Sequence, residues 1–110
     1  MNFKNYKTYK EIPEAIACQE DFEGNSVQGL NKKDWYYVYS YRTIMAIVLA
    51  NGAGVVLNTH KYSPTTSKLQ NILRRVFADE HVFCVDPGSN SEYRDNCIMQ
   101  EKAEDIAISD

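Results

Sequence analysis

The sequence predicts an α+β domain: a small curved antiparallel β-sheet with a central Asn-Gly hairpin, packed against one long and one short helix. Three observations carry this reading. "WYYVYSY" (35–41) and "IMAIVLA" (44–50) are dense in aromatic and apolar side chains, as strands are. "NG" at 51–52 separates the second run from "AGVVLNTH" (53–60), and an apolar stripe of helical period follows at 69–77.

In "TYKEIPEAIACQ" (8–19), Ile12, Ala15 and Ile16 fall at helical spacing, and Thr8 with Glu11 matches a capping box. Pro13 sits five positions past that cap, so either the first turn is irregular or the helix starts with Pro13 as its first residue. "DFEGNSVQGL" (21–30) holds two glycines and reads as an edge strand with a bulge or a close backbone approach; "NKKD" (31–34) reads as a polar turn. In the next strand Trp35, Tyr37, Tyr39 and Tyr41 share one face, and Tyr36, Val38 and Ser40 share the other. After Arg42 and Thr43, "IMAIVLA" is apolar on both faces, the pattern of a central strand covered on each side. Asn-Gly accepts the positive φ values of a two-residue type I′ turn, hence the expected hairpin.

From Thr66 or Ser67, Leu69, Ile72, Leu73, Val76 and Phe77 recur at i, i+3, i+4, i+7 and i+8, a stripe that must lie on the sheet. "HVFCV" (81–85) is a short last strand, ended by Asp86-Pro87-Gly88. These elements place one domain over 1–88. The remaining 89–110 shows no sustained period and is expected to be an acidic tail, weakly helical near 98–106 or disordered.

Composition narrows the functional classes. A chain of 110 residues with 44% hydrophobic and 25% charged residues supports one core, which excludes collagenous and wholly disordered proteins. No run of about 18 apolar residues exists and the first fifteen residues lack an apolar segment, so a cytoplasmic protein with no membrane partner is expected. Cys18, Cys84 and Cys97 are widely spaced and read as buried free thiols. His60 and His81 make no metal-ligand spacing, and neither metal nor cofactor is called for. H-E-x-x-H, G-x-S-x-G, Walker and dinucleotide motifs are all missing, so the expectation is a protein that is not an enzyme.

Charge is unevenly placed. Residues 1–75 carry ten Lys or Arg against six Asp or Glu (+4), residues 76–110 two against nine (−7), and the two recover the net −3. The basic side includes the helix just described. Thr65, Thr66 and Ser67 bring hydroxyls to its start, where backbone N–H groups lack partners and the dipole favours anions. Lys68, Gln70, Asn71, Arg74 and Arg75 are donors that contact phosphates and base edges. A cap of about 1 kcal/mol accounts for one hydroxyl, and the dipole for Arg74 and Arg75, but not for the whole set. In "YSYRT" (39–43), Arg42 is either an exposed residue or a partly buried cation held by Tyr hydroxyls or a carboxylate. If Arg42 and the helix start meet in space, one polar pocket results.

"YYVYSYRTIMAIVL" and "VVLNTHKYSPTTSKLQNILRRVF", with the upstream "DFEGNS", resemble an uncharacterised family of small proteins encoded by bacteriophages and other mobile elements. The likeness covers roughly residues 8–78, and SYRT with KYSxTTSxxQ is its most specific part. It implies an origin in a phage or mobile element, hence a bacterial host cell, rather than an activity. By analogy with other small phage proteins that lack enzyme motifs, the expected function is a non-enzymatic accessory module that binds nucleic acid or a host nucleic-acid enzyme, for example as an anti-CRISPR inhibitor of host defence. The alternatives are a domain for a small anionic ligand or nucleotide, built on Arg42, Thr65, Thr66 and Ser67, and a self-assembling virion part.

Overall fold

A computed structural model describes residues 6–33 and 35–109. In chain order they form β1 (Tyr6–Lys7), α1 (Ile12–Ala17), β2 (Phe22–Gly24), β3 (Val27–Lys32), β4 (Trp35–Ser40), β5 (Thr43–Val48), β6 (Val55–Asn58), α2 (Pro64–Val76), β7 (Val82–Val85) and α3 (Glu92–Ser109). Asp34 of the expected polar turn, and residues 1–5 and 110 at the ends of the expected domain and tail, lie outside the described residues.

The fold is α+β, with an open seven-stranded sheet in the order of the sequence. β2 to β6 are antiparallel neighbours, but β1 pairs with β2 and β6 with β7 in parallel, so the sheet is mixed rather than wholly antiparallel. The reason is connectivity: α1 lies between β1 and β2 and α2 between β6 and β7, and a helical crossover returns the chain in the same direction.

Each face of the sheet has its own core. Tyr36, Val38, Met45, Val55 and Leu57 meet Ile12 and Ile16 of α1 and Leu69, Leu73 and Phe77 of α2. On the opposite face Tyr37, Ile44, Ile47 and Val56 meet Met99, Ala103 and Ile106 of α3. The expected acidic tail is therefore an 18-residue helix, and the domain extends past residue 88. Its buried residues are Asp95, Met99, Ala103 and Ile106, so a carboxylate opens the stripe and hides its period.

Several local expectations change. Residues 21–30 are not one edge strand but two strands joined at Asn25–Ser26, where Ser26 takes φ 63°. Gly29 does permit the close approach foreseen there: a Cβ on it would strike the Phe22 ring and the Tyr36 hydroxyl. β5 and β6 do pair, but Val48 opposes Val55 and the connection is a 3-10 turn at Ala50–Gly52, not a two-residue Asn-Gly turn. Leu49 donates its N–H to the Gly54 carbonyl (2.9 Å), and Gly54, at φ 140°, lies against the His81 carbonyl and the Phe83 ring where no side chain fits. α1 starts at Ile12, with Pro13 in its first turn and the Thr8 N–H and hydroxyl both donating to the Glu11 carboxylate (3.0 and 3.1 Å). The thiols are free, as expected, but Cys18 and Cys84 are exposed and Cys97 half-buried rather than buried.

If α3 is part of the core, Met99→Ala destabilises the protein by about 3 kcal/mol in urea unfolding, while Ile108→Ala, at an exposed position of the same helix, changes it by less than about 0.5 kcal/mol. A loose tail would leave both variants neutral.

Candidate functional site

The start of α2 is built by Ser63, not by Thr66 or Ser67. Ser63 is extended (φ −157°, ψ 165°), its Oγ accepts the Thr66 N–H at 3.2 Å, and Pro64 occupies the first turn, where no N–H is needed. Thr66 is buried. Its Oγ1 shares a 3.1 Å hydrogen bond with Ser40 Oγ on β4 and accepts one from Ser63 Oγ, so this hydroxyl joins helix to sheet. Thr65 is exposed and Ser67 half-buried.

Gln70 also leaves the expected contact face. Only 6% exposed, it donates through Nε2 to the Asn58 and His60 carbonyls (2.8 and 2.9 Å), tying α2 to the end of β6. Lys68, Asn71, Arg74 and Arg75 remain exposed. Lys68 Nζ lies 4.5 Å from the centre of the Tyr9 ring, and Arg74 Nη1 donates to Asn71 Oδ1 at 3.0 Å. Among the described residues, no carboxylate pairs with Lys68, Arg74 or Arg75.

Arg42 is exposed, at the tip of the tight turn joining β4 and β5. Its carbonyl accepts from Asn96 Nδ2 (2.9 Å), while Asn96 Oδ1 accepts the Ile44 N–H (2.8 Å), so α3 clamps this turn. Tyr41, the residue before it, adopts φ 58° and keeps its ring 65% exposed. A tyrosine in this region is unusual and costs of order 1 kcal/mol, strain that a purely structural turn would avoid with Gly or Asn.

The YSYRT turn and the α2 start do meet. A cavity of about 140 Å³ is lined by Ser40, Tyr41, Thr43, Met45, Tyr62, Ser63 and Thr66, and Arg42 stands outside it. Thr43 and Tyr62 also line a second cavity, of about 240 Å³, with His60, Asp95 and the Asn90–Glu92 start of α3. Tyr62 anchors the region: its hydroxyl donates to Asp95 Oδ2 (2.7 Å) and accepts from Asn58 Nδ2 (3.0 Å). Burial, reinforced by the Asp95 carboxylate, pushes the Tyr62 hydroxyl up to about 12, so it stays a neutral donor at physiological pH. Asp95, only 2% exposed, accepts from the Ser89 N–H and hydroxyl as well (2.9 and 2.6 Å). Burial pushes its carboxyl up, but the hydrogen bonds from Ser89 and Tyr62 and the nearby His60 outweigh burial and hold it below its ordinary value. His60 Nδ1 lies 2.8 Å from Asp86 Oδ1 and its ring meets Tyr62 edge-on.

Sequence reasoning missed Asn58, Asp95, Asn96 and the His60–Asp86 pair. A signal for the α3 start was present, since Ser91 followed by Glu92 and Asp95 is a cap with an acidic first turn. Among the described residues, no helix is long and apolar enough to cross a membrane, and no group of three His, Cys, Asp or Glu could hold a metal ion.

A family model described as a family of unknown function (DUF8033) matches residues 4–82, more than half of the chain. The chain belongs to DUF8033. No curated protein and no solved structure matches it. Within the DUF8033 match lie both SYRT and the whole of α2, whereas α3, with its Asp95 and Asn96 anchors, lies beyond it.

The depressed Asp95 carboxyl has a signed consequence. Because its folded value lies below its unfolded one, the stabilisation is full above the ordinary carboxylate range, about pH 4, and is lost as pH falls through the folded value. Asp95→Asn should therefore lower stability by about 2 kcal/mol at pH 7 yet flatten the acid limb below about pH 4, read as melting temperature against pH. An unchanged acid limb would remove Asp95 from this role.

Proposed function

We propose that this protein is a non-enzymatic module that holds a nucleic-acid strand along the exposed flank of α2. The observation that carries the reading is that Lys68, Arg74 and Arg75 are exposed, have no carboxylate partner among the described residues, and stand on a helix with no acidic residue. From Lys68 to Arg75 the helix rises about 10 Å, the axial span of about three phosphates on one strand. Lys61, Arg42 and the exposed rings of Tyr41 and Tyr62 extend this flank past the start of α2, combining backbone-neutralising cations with aromatic faces on which bases stack. The strain at Tyr41 supports a role for its ring beyond the turn. The likeness of SYRT and KYSPTTSKLQ to proteins of phages and mobile elements supports an accessory role in a bacterial cytoplasm, of which blocking a host-defence nuclease is the most specific form.

The reading of a small anionic ligand or nucleotide at Arg42, Thr65, Thr66 and Ser67 is less well supported. Ligand pockets for such molecules run from about 300 Å³ upward, and the cavities here are about 140 and 240 Å³. Thr66 already spends its hydroxyl on Ser40 and Ser63.

Fluorescence anisotropy with labelled single-stranded and duplex oligonucleotides tests the proposal. Between about 50 and 200 mM salt, log K should fall against log salt with a slope of about −2 to −3, the value for three phosphate contacts. Arg74→Glu/Arg75→Glu should abolish binding without lowering the melting temperature; a flat salt response, or binding untouched by the double reversal, overturns the reading. Tyr41→Gly should leave stability within about 0.5 kcal/mol, the relieved strain being offset by the glycine's extra freedom in the unfolded chain, while weakening binding several-fold, the separation expected of a contact residue.

A further inference from the structure

The sheet ends in β7, and the backbone bonds of its inner side determine what its outer side offers. The Val55 N–H donates to the His81 carbonyl and the Thr59 N–H to the Val85 carbonyl, both at 2.8 Å. Residues 81, 83 and 85 therefore turn their backbone groups toward β6, and by alternation Val82 and Cys84 turn theirs outward, with Asp86 next in the alternation one residue past the strand end. Among the described residues no strand pairs with that side. Its four residues carry no Lys, Pro or bulge, and only its shortness and the Asp86-Pro87 step at its end guard the edge: Val82, Phe83 and Val85 are half-buried and Cys84 is exposed.

We propose that β7 is the interface of a symmetric dimer, in which two copies join edge to edge into one continuous antiparallel sheet. A two-fold axis perpendicular to the sheet places the same residue of each copy at the centre, as a bonded pair where its backbone groups face outward or as a non-bonded pair flanked by bonded ones. Of the non-bonded centres, Phe83 would set Glu80 opposite Asp86, and Val85 would set Phe83 opposite Pro87 and leave Val82 without a strand partner. Centring on Asp86 would set two carboxylates face to face, and centring on Val82 would bring Glu80 opposite Cys84 and leave Asp86 beyond the strand end. Centring on Cys84 pairs Val82 with Asp86, Phe83 with Val85 and Cys84 with its own copy, opposing no like charges. In that register the outward groups of Val82, Cys84 and Asp86 all find partners. Phe83 and Val85, which pack against the α3-side core, extend that core across the junction. The basic flank of α2 takes no part in this edge.

Sedimentation of the full chain across micromolar to submillimolar concentration should show a monomer–dimer equilibrium. Cys84→Lys, which sets two ammonium groups opposite each other at an exposed position, should leave a monomer of unchanged melting temperature, and Cys84→Ser should keep the dimer. With Cys18 and Cys97 replaced by Ser, a pyrene label on Cys84 should give excimer emission, because the two Cα atoms lie about 5.5 Å apart in a bonded pair. A monomer at every concentration, a dimer indifferent to Cys84→Lys, or label pairs without excimer emission would each overturn the proposal.

Discussion

Asn58 sits at the end of β6 with 2% of its surface exposed, so its polar atoms must be satisfied inside the protein. Its Nδ2 donates to the Ile44 carbonyl and the Tyr62 hydroxyl, its Oδ1 accepts the His60 N–H, and its carbonyl accepts from Gln70. Those bonds fix the path of residues 58–62, and with it the position of Ser63, which starts α2. Through Tyr62 the same network reaches Asp95 and so the first turn of α3. One amide thus connects a strand covered on both faces to the starts of the two long helices. Leaving any member without its partner costs about 1–3 kcal/mol, which makes the region rigid where the proposed contact surface begins.

The two outer helices differ in the charge they expose. β5 and β6 are apolar on both sides and need a cover on each. α2 supplies one cover and turns Lys68, Arg74 and Arg75 to solvent; α3 supplies the other and turns out Glu101, Glu104 and Asp105. A net charge of −3 therefore conceals a basic flank on α2 and a mainly acidic surface on α3, which also exposes Arg94 and Lys102, while α1 on the α2 side exposes Glu14. An interface along β7 would double the sheet while leaving both faces accessible.

Tyr41 shows how the fold spends stability at its surface. Its N–H donates to the Ser26 carbonyl (2.8 Å), and the bulge between Val38 and Tyr39 shifts the register just before the turn. The turn is held further by Asn96 of α3, so a strained residue is kept in place by contacts from two remote segments. Such over-determination is what lets a non-glycine residue persist at positive φ. It presents Tyr41 beside the start of α2 rather than folding it onto the sheet.

By itself the sequence determined what depends on local period and local bonding. The stripe Leu69, Ile72, Leu73, Phe77 is buried as its spacing requires, and β4 divides Tyr36 and Val38 from Tyr37 as alternation requires. Thr8 and Glu11 do bond, but as a turn ahead of α1 rather than as its cap, since Glu11 is the N-cap residue and its side chain caps nothing. The tertiary structure alone decided the rest. Gln70 and Thr66 read as surface donors because their partners, the Asn58 and His60 carbonyls and Ser40, are ten to twenty-six residues away in the chain. α3 read as a tail because its inward stripe begins with Asp95, a residue acceptable there only once Ser89 and Tyr62 are in place. The Asn-Gly step favoured a tight turn, but the chain forms a longer one around Ala50–Gly52 that packs Gly54 against β7. Period and capping act within a few residues, whereas the burial of a polar side chain and the length of a loop are set by whatever the fold brings beside them.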